Sequence, residues 1–435
     1  MMSVRILTYL ITVVLAWTLM PPILAQNNEE LASEKKFIEA ALAHRYRLDF
    51  DGKQFSGPGW RRLVDEGKAA DYFLIGETHG IKENPILAAS LFEKLKDSGY
   101  SNLAVEISSP IAAVIDSSLQ RDGLDGLREL YSKEGGEPAH YGLREEAELL
   151  YRARRTNQGA DQVILGFDYA VPTIPYLLSM LSEGEMPPAA REGFSLLEAT
   201  VTSAKRSFYA TADFMKLYSI SGDPALARDV RLAWPERTVR ADKIIRVVEE
   251  TAAINRRWAQ GKLYLANFER ARFMRKQFIQ QWIESSKAER GNKLMAKFGA
   301  NHMVRGLSPN GTFGLGSLIH ELAALMEHKV FSIYVRPGNE SEVSMFMPNK
   351  WRYETLNAFK QPGLDALEDL AFEDTFTLID LRPLRALTTG STPLRLKELI
   401  HGSDMILLMN GSRAATEFDH TEPPLVSEFY SRQQN

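Results

Sequence analysis

The sequence predicts an α/β domain, with a mainly parallel central sheet flanked by helices and a large helical insertion between its third and fourth strands. Three observations lead there. Residues 71–110 read as strand, helix, strand, and a crossover of that kind makes the two strands parallel. Further short apolar runs recur along the chain and end on Glu, Asp, His or Arg. Residues 175–290 carry few strand-like runs and many helical patterns.

At the start, residues 1–25 combine Arg5 with a long apolar stretch and end at Ala25. This predicts a secretory signal cut near Ala25 and a periplasmic or secreted protein. An uncleaved anchor is the competing reading, since the apolar stretch is near spanning length. No later stretch predicts a membrane span, so no stable membrane insertion is expected after cleavage. The remaining 26–435 read as one α/β domain. A helix is expected at 34–45, with His44 at its end. A turn at Gly57-Pro58-Gly59 leads to a short helix at 60–68. The first strand, 72–75, stops at Gly76 and delivers Glu77, Thr78 and His79. Asn84-Pro85 reads as a helix cap with proline in the first turn, and Ile86, Leu87, Leu91 and Leu95 keep the helical period. Gly99 ends that helix, and a second strand, 103–105, delivers Glu106.

Ser109-Pro110 starts another helix, with helical patterns at 111–119 and 124–131. Residues 133–141 form a turn-rich loop carrying His140, which reads as a solvated histidine. An amphipathic helix follows at 144–155. A third strand, 162–167, ends at Asp168, which either reaches the Glu106 rim or caps the next loop. The insertion or lid at 175–290 carries Arg270, Arg272, Arg275 and Lys276 on one helix. A solvated face is the default reading of that cluster, and an anion-binding face the sharper one. A strand at 293–298 then leads to Asn301-His302, and a helix at 318–328 carries His320 and His328 toward the surface. The fifth strand is 330–335, with later strands at 376–381 and 405–409. The connection from 338 to 373 looks loop-rich, and the tail after Ala415 irregular.

Parallel strands open their loops on one edge, where ligands of open α/β sheets sit. Glu77, His79, Glu106 and His302 are therefore expected to meet. The formal charge of −4 argues against nucleic acid as a partner and leaves a small-molecule substrate. With no cysteine, thiol catalysis, cysteine metal ligands and disulfides are excluded. There is no GxSxG elbow; Ser108 and Ser109 lie near Glu106, and the serine before Pro110 reads more simply as a helix cap. Two mechanisms suit the acids and imidazoles. In one, His79 takes a proton from water while Glu77 or Glu106 orients it, and His302 serves the oxyanion or leaving group. No cofactor is required for that hydrolysis of an ester, lactone or amide. In the other, His79, Glu106 and His302 hold a divalent metal that activates water.

The blocks GETHGIKE (76–83), AVEIS (104–108) and GANHMVRG (299–306) resemble those of the erythromycin esterase family. RARFM (270–274) and Gly314-Leu315-Gly316 fit its pattern more loosely. The wider superfamily includes haem-uptake ChaN proteins and TraB/Tiki peptidases. The resemblance implies an exported hydrolase with His79 as the base, Glu77 and Glu106 as its carboxylate partners and His302 as the second essential histidine. It also implies substrate-binding roles for Glu83 and Arg270, beside Asp168 from the strand pattern. A single residue, Thr78, separates Glu77 from His79, the spacing of ChaN-like members, whereas the esterases place two. The alternatives are a ChaN-like haem-binding protein, with Tyr169 and His140 as conceivable axial ligands, and a metallopeptidase.

Overall fold

A computed structural model describes residues 35–284, 292–358 and 364–433. The expected signal segment at 1–25 lies outside them. Among the described residues, no helix is long and apolar enough to cross a membrane.

Eleven strands are described: β1 (Arg45–Phe50), β2 (Phe55–Ser56), β3 (Tyr72–Glu77), β4 (Tyr100–Ser108), β5 (Ile164–Asp168), β6 (Lys293–Gly299), β7 (Val330–Pro337), β8 (Glu342–Met347), β9 (Arg352–Asn357), β10 (Phe376–Asp380) and β11 (Met405–Met409). Nine form one sheet in the order β2-β1-β10-β11-β7-β3-β6-β4-β5. From β11 through to β5 every pairing is parallel, while β10 and β1 close one side antiparallel. This is the α/β class that the crossover unit predicts. Helix Glu83–Leu95 carries the chain from β3 past β6 to β4.

The centre of the sheet is covered on both faces, as parallel sheets are. Phe73 and Ile75 of β3 pack into one core with Met295 of β6, while Tyr72 and Leu74 pack into the other with Ala296 and Phe298. The period of two sets which strand-end residues share a face. Glu77 follows Ile75, and Lys297 and Gly299 follow Met295. In register, Ile75 pairs with Lys297 and Glu77 with Gly299.

Several local expectations are corrected. The first helix spans 35–43, and Arg45 already belongs to β1. Asn84 is not the cap. The helix begins at Glu83, and the Asn84 side chain instead donates to Glu77. Residues 111–119 and 124–131 are helical as expected, two segments running from Ser109 to Tyr131 across a kink at Gly123, whose φ is 61°. Ser109 is not the cap, because the N-cap position is Ser108, whose side chain makes no capping bond. Glu106 lies within β4, which runs on to Ser108, while β5 ends at Asp168 as expected. The expected loop at 338–373 contains the β8–β9 hairpin, and the tail ends in helix Pro424–Gln433. Between β5 and β6 the described residues form helices and no strand, the longest being Pro188–Thr211, Val239–Ala259 and Leu263–Phe278.

Candidate functional site

A cavity of about 670 Å³ opens at the carboxyl ends of the central strands. Its floor carries Glu77, His79, Glu106, Asp168, Arg270 and His302. Its upper wall is aromatic, with Tyr209, Trp351, Tyr353 and Phe418 among the lining residues.

His79 hangs between two acids. Its Nδ1 lies 3.0 Å from Glu77 Oε1 and donates to it, and its Nε2 lies 3.5 Å from Glu106 Oε2. The other Glu106 oxygen faces His302 Nε2 at 3.5 Å. His302 stands in the short helix Ala300–Met303 just after β6. The two imidazoles thus share one carboxylate. Burial would lower the His79 pKa, but Glu77 and Glu106 outweigh it and raise it to about 10. Burial would likewise raise the Glu106 pKa, yet His302 and His79 hold it well below the usual carboxylate range.

Each carboxylate has its own counter-cation behind it. Lys297, fully buried, donates to Glu77 Oε1 at 2.6 Å and to Glu146 Oε1 at 2.6 Å. Despite burial, Lys297 and then His79 bring the Glu77 pKa down to about 2. Glu146 moves the other way, because burial and the nearby Glu77 charge outweigh Lys297 and raise it to about 7. Arg270 reaches Glu106 Oε1 at 2.7 Å and grips Asp168 through Nε at 3.1 Å and through Nη2. Its guanidinium lies 4.5 Å over the Tyr169 ring. The Gly299 amide donates to Glu106 Oε2 at 2.6 Å. Gly299 leaves the space this needs, since a Cβ there would lie 2.9 Å from His79 Nε2.

Of the residues singled out from sequence, Glu77, His79, Glu106, Asp168, Arg270 and His302 come together. Glu83 does not. It lies outside the cavity lining, buried, and accepts from the Arg413 amide at 3.1 Å. The Arg270 cluster splits: Arg270 turns inward, while Arg272 is exposed and pairs with Glu269. His140 is not a solvated loop residue. It lines the cavity with its ring stacked on His79, centroids 4.0 Å apart and planes 6° from parallel. Burial and the neighbouring His79 charge lower its pKa to about 3. Sequence reasoning missed Lys297 and Glu146. The available signal was a lysine inside KLMAKFG, a run otherwise apolar enough for a buried parallel strand. Among the described residues, no three His, Asp or Glu side chains form a group arranged to hold a metal ion.

No family model matches the chain, and no curated protein matches it. Solved structures do. A protein from Bacillus cereus shares 14% identity at a TM-score of 0.57, over 89% of this chain and 99% of its own. A succinoglycan biosynthesis protein shares 13% identity at a TM-score of 0.57, over 88% and 99%. A mutant of erythromycin esterase EreC in its open conformation shares 15% identity at a TM-score of 0.56, over 87% and 99%. At such identities the likeness is one of architecture, and the chain shares the fold of erythromycin esterase EreC and of the other two proteins.

Proposed function

We propose that this protein is an exported hydrolase that cleaves an ester, lactone or amide of a small molecule with water activated by His79. One observation carries the reading: His79 is suspended between two ionised carboxylates at the floor of a cavity large enough for a small molecule, with His302 on the far side of the shared acid. The fold shared with erythromycin esterase supports the reaction class.

In the attack step, neutral His79 takes one proton from water through Nε2, and the water oxygen adds to the carbonyl carbon. Glu77 and Glu106 stabilise the imidazolium that forms. His302 donates to the oxyanion, and the proton held by His79 then passes to the leaving oxygen or nitrogen as the tetrahedral adduct collapses. From behind, Lys297 keeps Glu77 ionised, and Arg270 holds Glu106 in place. A cation on His79, Glu106 and His302 would compete with Arg270 and the Gly299 amide for the only carboxylate in that set. The haem reading is also disfavoured, because the cavity floor carries the charged groups of Glu77, Glu106, Asp168 and Arg270, where a haem face needs apolar surroundings.

A panel of aryl esters and lactones tests this. His79→Gln and His302→Gln should each cut kcat/KM by about 10²–10⁴-fold in proteins that still fold, and prior chelation should leave the parent unaffected. Turnover at the parent rate in both variants would sink the assignment. The base must be unprotonated, so kcat/KM should climb with pH toward about 10. A rate that falls over the same range would make His79 an acid instead.

A further inference from the structure

We propose that His140 is a positioning residue for His79, and that the 133–141 loop and the β8–β9 hairpin exist at this site to hold its ring against the His79 imidazole. This extends the hydrolase reading to a residue outside the carboxylate–imidazole set, and depends on that reading only where a rate is measured.

The stack itself is the first argument. Ring nitrogens donate and accept in the plane of the ring, so two imidazoles 4.0 Å apart and 6° from parallel cannot bond to one another. What His140 offers His79 is a flat wall. Glu77 holds Nδ1 at 3.0 Å, but Glu106 lies 3.5 Å from Nε2, loose enough for the ring to rock about its Cβ–Cγ bond. A second ring lying flat on its face removes that rotation and fixes the plane in which Nε2 meets water or substrate.

The backbone is the second argument. His140 sits at φ 64°, a left-handed conformation uncommon for a residue with a Cβ and maintained only where surrounding structure enforces it. That structure is present. The His140 amide donates to the Tyr353 hydroxyl of β9 at 2.8 Å. The next residue, Tyr141, is buried, and its carbonyl accepts from the Tyr131 hydroxyl at 3.1 Å. Its own hydroxyl accepts from the Glu106 amide at 3.3 Å. Earlier in the loop, Gly136 packs so tightly that a Cβ would lie 1.9 Å from the Leu130 carbonyl. Three elements thus converge to set one ring, and one of them ties the loop directly to the strand that carries Glu106.

The variants separate a flat wall from a reacting group. His140→Phe keeps a planar ring and loses both nitrogens. His140→Ala loses the ring and keeps the Cβ, so the backbone cost of residue 140 is common to all three proteins. Tyr353→Phe keeps both imidazoles and removes the acceptor of the His140 amide, and serves where His140→Ala does not fold. The readout independent of turnover is the His79 Nδ1 proton bonded to Glu77, followed in 15N-histidine-labelled protein and identified by its absence in His79→Gln. In the parent and in His140→Phe it should exchange slowly with water. In His140→Ala and Tyr353→Phe it should exchange about tenfold faster. In parallel, His140→Ala should lower kcat on the best aryl ester about tenfold at unchanged KM, with His140→Phe near the parent. Unchanged exchange in both His140→Ala and Tyr353→Phe overturns the proposal. So does a His140→Phe protein as impaired as His140→Ala, which would make the nitrogens the active part. If no ester is turned over at all, the hydrolase reading fails while the exchange measurement still decides the role of His140.

Discussion

Lys297 decides the electrostatics of the site without touching the cavity. It is fully buried between Glu77 and Glu146, 2.6 Å from each, and is the cation that lets Glu77 stay ionised where burial alone would protonate it. Removing one partner of a buried ion pair leaves the other charge without compensation. Lys297→Met should therefore cost about 3–5 kcal/mol in urea unfolding, and Lys297→Met with Glu146→Gln should recover part of that loss. Equal stability of parent and Lys297→Met would show that the two acids are neutral in the folded protein. His79 adds a pH signature. Its folded pKa is raised from 6.5 to about 10, so its charge contributes stability in full below pH 6.5, and that contribution is lost as pH rises through 10. Plotted against pH, the unfolding free energy of the parent should fall over this window, and His79→Gln should remove that part of the slope. The sequence made His79, Glu77, Glu106 and His302 legible because they follow apolar runs. Lys297 escaped because a lysine inside a strand looks like an ordinary solvent-facing position until both faces of the sheet are known to be covered.

At the scale of the element, strand ends were readable and edges were not. The crossover unit dictated that β3 and β4 run parallel, and parallel strands gather their ends whatever the detailed register. By contrast, β2 and the β8–β9 hairpin are short or half-exposed, with mixed polarity, and β1, although RYRLDF alternates with period two, directly follows the helix expected at 34–45. Their placement comes from long-range pairing, such as β1 with β10. For the same reason the loop carrying His140 could not be seen to fold over His79. The end of β6 shows how closely an element can be fitted to the chemistry. Gly299 has an ordinary negative φ of −52°, so its backbone tolerates alanine, yet a Cβ there would sit 2.9 Å from His79 Nε2 and 3.3 Å from Glu106 Oε2. Gly299→Ala should therefore push imidazole and carboxylate apart while leaving the fold in place. Turnover should fall by up to about 10²-fold with the melting temperature nearly unchanged. A fully active Gly299→Ala enzyme would mean that the His79–Glu106 spacing is not what sets the rate.

Across the whole molecule, the site depends on one contact between layers far apart in the chain. Helix Leu263–Phe278 brings Arg270 across to Glu106, 164 positions away, and to Asp168, 102 positions away. Met274 and Phe278 of the same helix pack in the core beneath β4, β5 and β6. The apolar side of that helix seats it, and the guanidinium then closes the rim by tying the ends of β4 and β5 together. Helical character was readable in this stretch, but which of four neighbouring cations would turn inward depended on the seating of the helix. A planar fork can serve two carboxylates at once, whereas an ammonium is a point charge. Arg270→Lys should accordingly keep the charge balance but lose the bridge, lowering turnover more than stability. Arg270→Ala removes the guanidinium between Glu106 and Asp168 and should cost about 3–5 kcal/mol. Asp168→Asn added to Arg270→Ala should restore part of that loss, since it removes one of the two charges. Unfolding curves for the three proteins check this order. If Arg270→Ala is as stable as the parent, the insertion is held by its apolar face alone and the bridge serves only the chemistry.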